Sequence, residues 1–244
     1  MQLTDAEIRK ILIQEKRRIY KRKKARRRRS MIILLAIILI VSVVIIVNRE
    51  ELGFFNSRGT IFIDPGHGGE DPGSYTSSRF EKNDNLALAL EVKDYLKREN
   101  FQVFMSRSDD TYISRDERGM MANKASADLM ISLHRNKTDG EGRGVEVFIP
   151  SPLDKESEIL GNNIMKALVK EGFLERSVRV GTLVSEDENY AENSYSNMPS
   201  CLIEVGFISD QGDNKLFDDN MKKNAQAIAE AIIDTYSELY EADK

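Results

Sequence analysis

The sequence predicts a single α/β domain with a mostly parallel, twisted sheet flanked by helices and preceded by one transmembrane helix. Short apolar runs alternate along the chain with longer amphipathic segments, which is typical of parallel sheets with crossover helices. A basic block followed by an unbroken apolar run lies near the N-terminus, as in membrane-anchored chains. Beyond this region roughly 185–190 residues remain, which is enough for one domain with a substantial core.

The first half of the domain contains two strand–helix pairs. The apolar run at residues 59–64 predicts a strand, and residues 82–98 predict a helix because their leucines and alanines fall on one side. Residues 101–106 alternate as a half-buried strand does, and residues 114–126 predict the second helix. Because a helix follows each strand, we expect the strands to be parallel.

The second half is predicted less completely. Three further apolar runs predict strands at residues 127–134, 144–150 and 200–207. Residues 154–171 predict a helix, and the apolar residues from Ala225 to Leu239 have nearly ideal amphipathic spacing for a C-terminal helix. The stretch 176–198 is polar and irregular, and no element is predicted for it.

The N-terminal segment differs in charge from the rest of the chain. Residues 1–30 hold 13 Lys+Arg and 3 Asp+Glu, whereas the remaining 214 residues hold 23 and 37. Residues 31–47 are apolar except for Ser42 and would span about 25 Å as a helix, the short end for a membrane span. A basic flank stays in the cytoplasm. We therefore expect a basic cytoplasmic segment at 1–30, a transmembrane signal anchor at 31–47, a linker at 48–58, and a folded domain at 59–244 on the outer side.

Two other readings of the N-terminus are less favoured. A cleaved signal peptide needs an A-x-A-like site, and NREELGFFNSRG after the apolar run has none. A nucleic-acid arm is disfavoured because the apolar run follows the basic block directly, so we expect no nucleic-acid partner. The single cysteine, Cys201, lies in a predicted strand and is interpreted as a small buried hydrophobe.

Three polar residues are expected to meet at one edge of the sheet. His67 and His134 are the only histidines, and each follows a predicted strand. Glu204 interrupts the apolar run SCLIEVGF near its end, where an unpaired buried carboxylate is costly. Ligands of open α/β sheets bind at the carboxyl ends of strands. Two imidazoles and a carboxylate are the ligand set of many catalytic zinc sites.

A catalytic zinc site also needs a second carboxylate, because one binds the ion and the other accepts a proton from water. Glu70, Asp71 and Glu81 are candidates for the carboxylate that binds the ion, and spacing alone does not choose between them.

Two structural alternatives remain open. Glu204 could instead form an ion pair with Arg107, Arg115 or Arg118. The segment DPGHGG could be a simple turn or a phosphate-binding loop, although it lacks the G-x-G-x-x-G spacing and the P-loop lysine.

Five blocks in order carry a resemblance to a known family. They are IFIDPGHGGEDPGS, EKNDNLALAL, ANKASADLMISLHRN, GVEVFIP and MPSCLIEVGFISD, and the similarity covers residues 59–240. The chain resembles the zinc-dependent N-acetylmuramoyl-L-alanine amidases of the amidase 3 family. The resemblance implies His67, Glu81 and His134 as zinc ligands and Glu204 as the catalytic glutamate. It also implies hydrolysis of the amide between N-acetylmuramic acid and L-alanine in peptidoglycan.

The substrate contacts are less defined. Where the family usually has a small residue before asparagine, this chain has Arg135 and then Asn136. Arg135 could bind substrate carboxylates, but we expect it to point into solvent, whereas Asn136 and Arg118 are candidate substrate contacts. The acidic segment 185–200 is expected to shape the substrate groove.

The predicted domain architecture resembles that of the spore-cortex amidases of endospore-forming bacteria, because it consists of an anchor and one catalytic domain. That branch implies a role in sporulation with a deacetylase partner, at the bacterial cytoplasmic membrane. A vegetative wall amidase is the alternative. A zinc peptidase that acts on the stem peptide and a catalytically inactive wall-binding protein are two further alternatives.

Overall fold

The structure is a computed structural model that describes residues 21–24, 28–44 and 57–242. The chain divides into two compact units, residues 1–54 and residues 55–244. The second unit contains every predicted site residue.

The predicted transmembrane helix is not found in the described part of the apolar N-terminal stretch. Residues 28–44 are helical, but no helix within the described ranges is long and apolar enough to cross a membrane. The predicted anchor, and with it the single-pass placement of the domain on the outer side, is therefore wrong. Residues 45–47, most of the basic segment and most of the predicted linker lie outside the described residues.

The second unit alternates strands and helices along its described length. In chain order these are β1 (Thr60–Pro65), α1 (Glu81–Arg98), β2 (Gln102–Met105), α2 (Arg115–Lys124), β3 (Leu129–Asn136), β4 (Val145–Ile149), α3 (Lys155–Lys170), β5 (Glu175–Val180), α4 (Ala191–Ser194), β6 (Ser200–Phe207), α5 (Gln211–Asp219) and α6 (Met221–Tyr240).

The strands form one six-stranded sheet in the order β2-β1-β3-β6-β4-β5. All neighbouring pairs are parallel except β4–β6, which is antiparallel. The prediction of an α/β domain with a mostly parallel sheet is confirmed. Strand β5 and helix α4 lie in the stretch for which no element was predicted. As an edge strand, β5 buries none of its residues fully, so its sequence lacks an apolar run.

Alternate residues of the central strands face two apolar layers. Ile61, Ile63 and Cys201 belong to the large core that also contains the buried faces of α1, α3 and α6, whereas Phe62 and Met130 join a smaller cluster on the side of α2. Burial raises the pKa of the Cys201 thiol. The cysteine is therefore a protonated core residue, as its sequence context predicts.

The register of the central strands determines where the polar residues lie. In the β3–β6 pair, His134 is directly opposite Glu204. In the β1–β3 pair, Pro65 at the end of β1 is opposite Leu133, one residue before His134. The turn that carries His67 follows β1 directly, so the three residues share the carboxyl edge of the sheet.

Candidate active site

The turn after β1 places His67 beside His134. His67 has a left-handed backbone conformation, with φ of 62°. The two imidazole rings stand edge to face, with their centroids 4.8 Å apart. Such close approach requires glycine at two positions. A Cβ on Gly66 would lie 2.2 Å from Cε1 of His134, and a Cβ on Gly73 would lie 2.5 Å from Cδ2 of His67.

Glu81, the first residue of α1, joins the two histidines. Its Oε1 lies 3.2 Å from Nε2 of His67 and 3.0 Å from Nδ1 of His134. Its Oε2 accepts a hydrogen bond from the backbone N–H of Ser74 at 2.7 Å. The carboxylate is almost completely buried, with 2% of the residue exposed. The structure therefore brings together the three ligands that the resemblance implies.

The other two candidate carboxylates have different positions. Glu70 is exposed, whereas Oδ2 of Asp71 lies 2.8 Å from Nδ1 of His67. A histidine that binds a metal ion through one ring nitrogen usually donates its other N–H to a carboxylate or carbonyl. Asp71 is thus placed to orient His67 rather than to bind an ion itself.

The spacing of the donor atoms fits zinc. His67, Glu81 and His134 form a group that can hold a metal ion. With zinc–ligand distances of about 2.0–2.1 Å in a tetrahedron, neighbouring ligand atoms lie about 3.3 Å apart. The separations of 3.0 and 3.2 Å from Oε1 of Glu81 to the two imidazoles are close to this value.

The electrostatics of the group show why it favours a positive charge. Burial would raise the pKa of Glu81, but its hydrogen bonds to His134 and His67 hold that pKa well below its ordinary value. Burial would also lower the pKa of His134, but the hydrogen bond and the charge of Glu81 raise it to about 9. A proton and a metal ion therefore compete for the same nitrogen atoms.

Glu204 lies beside this group without a partner. Its Oε2 is buried and has no hydrogen bond. Burial raises the pKa of Glu204 to about 8; the charge of His134 opposes the shift, and Glu81 and Glu146 add to it. No ion pair joins Glu204 to an arginine in the described part of the chain. The alternative of a structural ion pair is therefore wrong.

The three arginines proposed for that pair have other positions. Arg118 forms a buried ion pair with Asp64 at 2.6 Å, and Nε of Arg107 donates to the carbonyl of Pro65 at 2.9 Å. Arg115 lines a cleft into which the site opens.

Arg118 also lines this cleft, but its guanidinium is engaged within the protein. In addition to Asp64, it donates to the carbonyl oxygens of Pro65, His67 and Ile113. These bonds occupy the guanidinium group that the predicted substrate contact would need. Arg118 instead holds the turn that carries His67.

The expectation that Arg135 points into solvent is wrong. Only 1% of Arg135 is exposed, and its guanidinium pairs with Asp84 at 2.8 Å and donates to Oδ1 of Asn214 at 2.8 Å. It also stacks on the ring of Phe217, 4.1 Å from the centroid. These partners lie in α1 and α5, far from Arg135 in sequence, so local spacing does not reveal them.

The site opens into a cleft of about 560 Å³. Asn136 lines it, and its side-chain N–H donates to Oε2 of Glu146 at 2.7 Å. Tyr190 and Glu192 line it as well, so the segment 185–200 contributes two residues to the cleft wall. No local pattern singled out Glu192, because it lies among many acidic residues in a polar stretch.

Comparison with known proteins identifies the family. Residues 61–234 match the family Amidase_3, N-acetylmuramoyl-L-alanine amidase. The chain belongs to this amidase family. As an N-acetylmuramoyl-L-alanine amidase, it hydrolyses peptidoglycan at the amide between N-acetylmuramic acid and L-alanine.

Curated relatives show the extent of the similarity. The amidase is 34% identical over 184 residues to the Bacillus subtilis protein YqiI, covering 75% of this chain and 85% of that protein. It is 31% identical over 185 residues to the probable cell wall amidase LytH of Staphylococcus epidermidis, covering 74% of this chain but 58% of LytH.

Solved structures share the fold of this amidase. An N-acetylmuramoyl-L-alanine amidase from Clostridium difficile 630 has 30% sequence identity and a TM-score of 0.67, covering 76% of this chain and all of the other. The CwlD amidase of Clostridioides difficile, solved in complex with the GerS lipoprotein, has 28% identity and a TM-score of 0.63, covering 74% of this chain and 99% of CwlD.

Proposed function

We propose that this amidase is a zinc hydrolase in which His67, Glu81 and His134 hold the ion and Glu204 carries the proton. The observation that carries the proposal is the placement of Oε1 of Glu81 at 3.2 and 3.0 Å from the two imidazole nitrogens. Glu204 stands on the neighbouring strand, opposite His134. The chemistry that zinc supplies in such sites is Lewis-acid activation of a carbonyl group and of a water molecule.

The hydrogen-bond partners of Glu81 and Glu204 indicate which carboxylate binds the ion and which accepts the proton. Glu81 has both oxygens committed, to the histidines and to backbone N–H groups, so it suits a fixed ligand. Glu204 has a buried oxygen without a partner and a raised pKa of about 8. Glu204 would accept a proton from the attacking water and deliver it to the departing amine of L-alanine.

Two neighbouring residues support the reaction in this proposal. Asp71 holds the imidazole of His67 through Nδ1 and leaves Nε2 directed at Glu81. Asn136 uses one side-chain N–H on Glu146, and the residue lines the cleft. Its second N–H would donate to a carbonyl or acetamido oxygen of the substrate.

The biological setting of the activity is also a proposal. We place this amidase in cell-wall or spore-cortex remodelling, supported by similarity to LytH and to CwlD. The CwlD structure contains the GerS lipoprotein, so an accessory lipoprotein is a possible class of partner to test. The deacetylase partner and the sporulation role stay predictions. Side-by-side digestion of cortex and vegetative peptidoglycan would separate the two settings.

Paired variants test the assignment of ligand and base. We expect His67→Ala to lose both zinc and turnover, because it removes a ligand. Glu204→Ala should retain zinc and lose turnover by about 10²–10⁴-fold, the usual contribution of a general base. Glu70→Ala is the matched control, since Glu70 lies in the same turn region but is exposed. Metal content and hydrolysis rate are measured on the same samples. Full zinc occupancy in His67→Ala would refute the ligand assignment.

A further inference from the structure

Glu192 has a buried carboxylate that takes no part in the proposed reaction. It lies on helix α4, with 3% of the residue exposed, and it lines the cleft. Within the described residues its carboxylate has no hydrogen bond and no ion pair. Burial of an unpaired carboxylate is unfavourable, so a partner is expected close by.

An unpartnered nitrogen lies near this carboxylate. His134 is 9% exposed, and its Nε2 is buried without a hydrogen bond, while its Nδ1 faces Glu81. Donor atoms of His134, Glu192 and Asp64 all lie within 4.8 Å of one another. Either carboxylate could in principle serve the histidine.

Asp64 is already committed to other partners. Its Oδ1 accepts hydrogen bonds from Arg118 at 2.6 Å and from Ser106 at 2.5 Å, and its Oδ2 accepts one from Ser132 at 2.6 Å. Arg118 also neutralises its charge. Glu192 is therefore the carboxylate that remains available to His134.

The backbone of α4 is held in place, so Glu192 is not on a loosely packed segment. The side chain of Asn193 donates to the carbonyl of Phe148 at 3.1 Å and accepts a hydrogen bond from Ser200 at 3.0 Å. Helix α4 also approaches α2 at Gly119, where an added Cβ would lie 2.9 Å from the carbonyl oxygen of Glu192. These contacts do not involve the carboxylate itself.

We propose that Glu192 is a positioning residue that accepts a hydrogen bond from Nε2–H of His134 when Nδ1 of that histidine binds the metal ion. The inference rests on the zinc ligands assigned in the proposed function. It gives His134 the same kind of partner that Asp71 gives His67, where the carboxylate is 2.8 Å from the ring nitrogen. Such a partner fixes the tautomer and orientation of the ring and increases its basicity as a ligand.

The geometry leaves two ways to make this contact. From within 4.8 Å, a rotation of the Glu192 side chain would give a direct hydrogen bond, and a bridging water would give an indirect one of similar strength. The negative charge of Glu192 is also among the causes that raise the pKa of His134, after burial, which lowers it, and the effects of Glu81 and Glu204.

The test compares zinc affinity in variants of the full chain. Competition with a chromogenic chelator gives the zinc dissociation constant of wild type, Glu192→Ala, Glu192→Gln and Glu188→Ala. We expect zinc binding to weaken by about 10–100-fold in Glu192→Ala, the usual cost of losing such a partner. Glu192→Gln should be weakened less, because its amide oxygen still accepts. Glu188→Ala is the matched control, since Glu188 is exposed in the same segment.

Two further readouts separate positioning from a general structural role. The thermal midpoint of Glu192→Ala in excess chelator should be no lower than that of wild type, because the packing of α4 does not use the carboxylate and its burial without a partner is unfavourable. The absorption spectrum of the cobalt-substituted protein should change, because it reports the ligand geometry.

Several results would overturn the inference. Wild-type zinc affinity in Glu192→Ala would overturn this inference and leave the proposed zinc ligands in place. If KM for peptidoglycan also increased in that variant, Glu192 would be a substrate contact. Binding of two zinc ions by wild type and one by Glu192→Ala would make Glu192 a ligand of a second ion. A wild-type chain that binds no zinc would overturn the proposed ligand set and this inference together.

Discussion

Replacement of Gly66 by alanine should damage the metal site without removing any of its ligands. Gly66 packs against the ring of His134, and an added Cβ would lie 2.2 Å from Cε1 and 2.3 Å from Nε2. Optimal contact between such atoms needs about 3.5–4.0 Å, so the imidazole or the backbone must move by more than about 1 Å.

The backbone around Gly66 cannot retreat easily. Its N–H donates to the carbonyl of Leu133 at 3.0 Å, and its carbonyl accepts from Arg107 at 3.0 Å and from Asn85 at 3.3 Å. The displacement therefore falls on His134. Overpacking of this kind costs about 1–3 kcal/mol, and about 1.4 kcal/mol corresponds to tenfold in affinity. We expect zinc affinity to fall by about 5–150-fold.

The assay is chelator competition on the full chain, with Gly140→Ala as the matched control. A Cβ on Gly140 would meet only Oγ1 of Thr138, at 3.8 Å. Zinc affinity in Gly66→Ala within twofold of that in Gly140→Ala would refute the reasoning, because it would mean that His134 can move freely and still bind.

Three further predictions concern the neighbouring groups. Glu204→Gln should keep zinc while hydrolysis falls by about 10²–10⁴-fold; loss of zinc from this variant would make Glu204 a ligand. Asp71→Ala should weaken zinc binding by about 10–100-fold in the same competition assay, and unchanged affinity would contradict its role in orienting His67. In excess chelator, stability should fall as pH rises. Folding raises the pKa of His134 from 6.5 in the unfolded chain to about 9, and that of Glu204 from 4.5 to about 8. Each of these protons stabilises the folded state. The stabilisation is complete at a pH below the group's pKa in the unfolded chain, and it is lost as the pH rises through its pKa in the folded protein. A thermal midpoint that rises between about pH 6.5 and 9 would contradict this.

Much of the fold could be predicted from the sequence because most strands and long helices bury apolar residues in a regular pattern. Strand β5 was missed because it lies at the sheet edge and stays partly exposed. The predicted transmembrane helix failed for another reason. Composition indicated an apolar span, but among the described residues no helix is both long and apolar enough to cross a membrane.

The site could be predicted only in part. His67, His134 and Glu204 stood out because each follows or interrupts a strand, whereas the choice of Glu81 depended on the family resemblance. The burial of Arg135 depends on partners in α1 and α5, and the position of Glu192 depends on the packing of α4 against α2. Such contacts between distant segments leave no signal in local spacing.

The most direct test of the central claim is product analysis after incubation of the full chain with peptidoglycan. Parallel samples contain a zinc chelator or the Glu204→Gln variant, and products are identified by mass spectrometry. The account predicts glycan strands with free lactyl groups and peptides with a free N-terminal L-alanine, both absent with chelator and with the variant. Cleavage within the stem peptide, or no cleavage by the zinc-loaded chain, would contradict it.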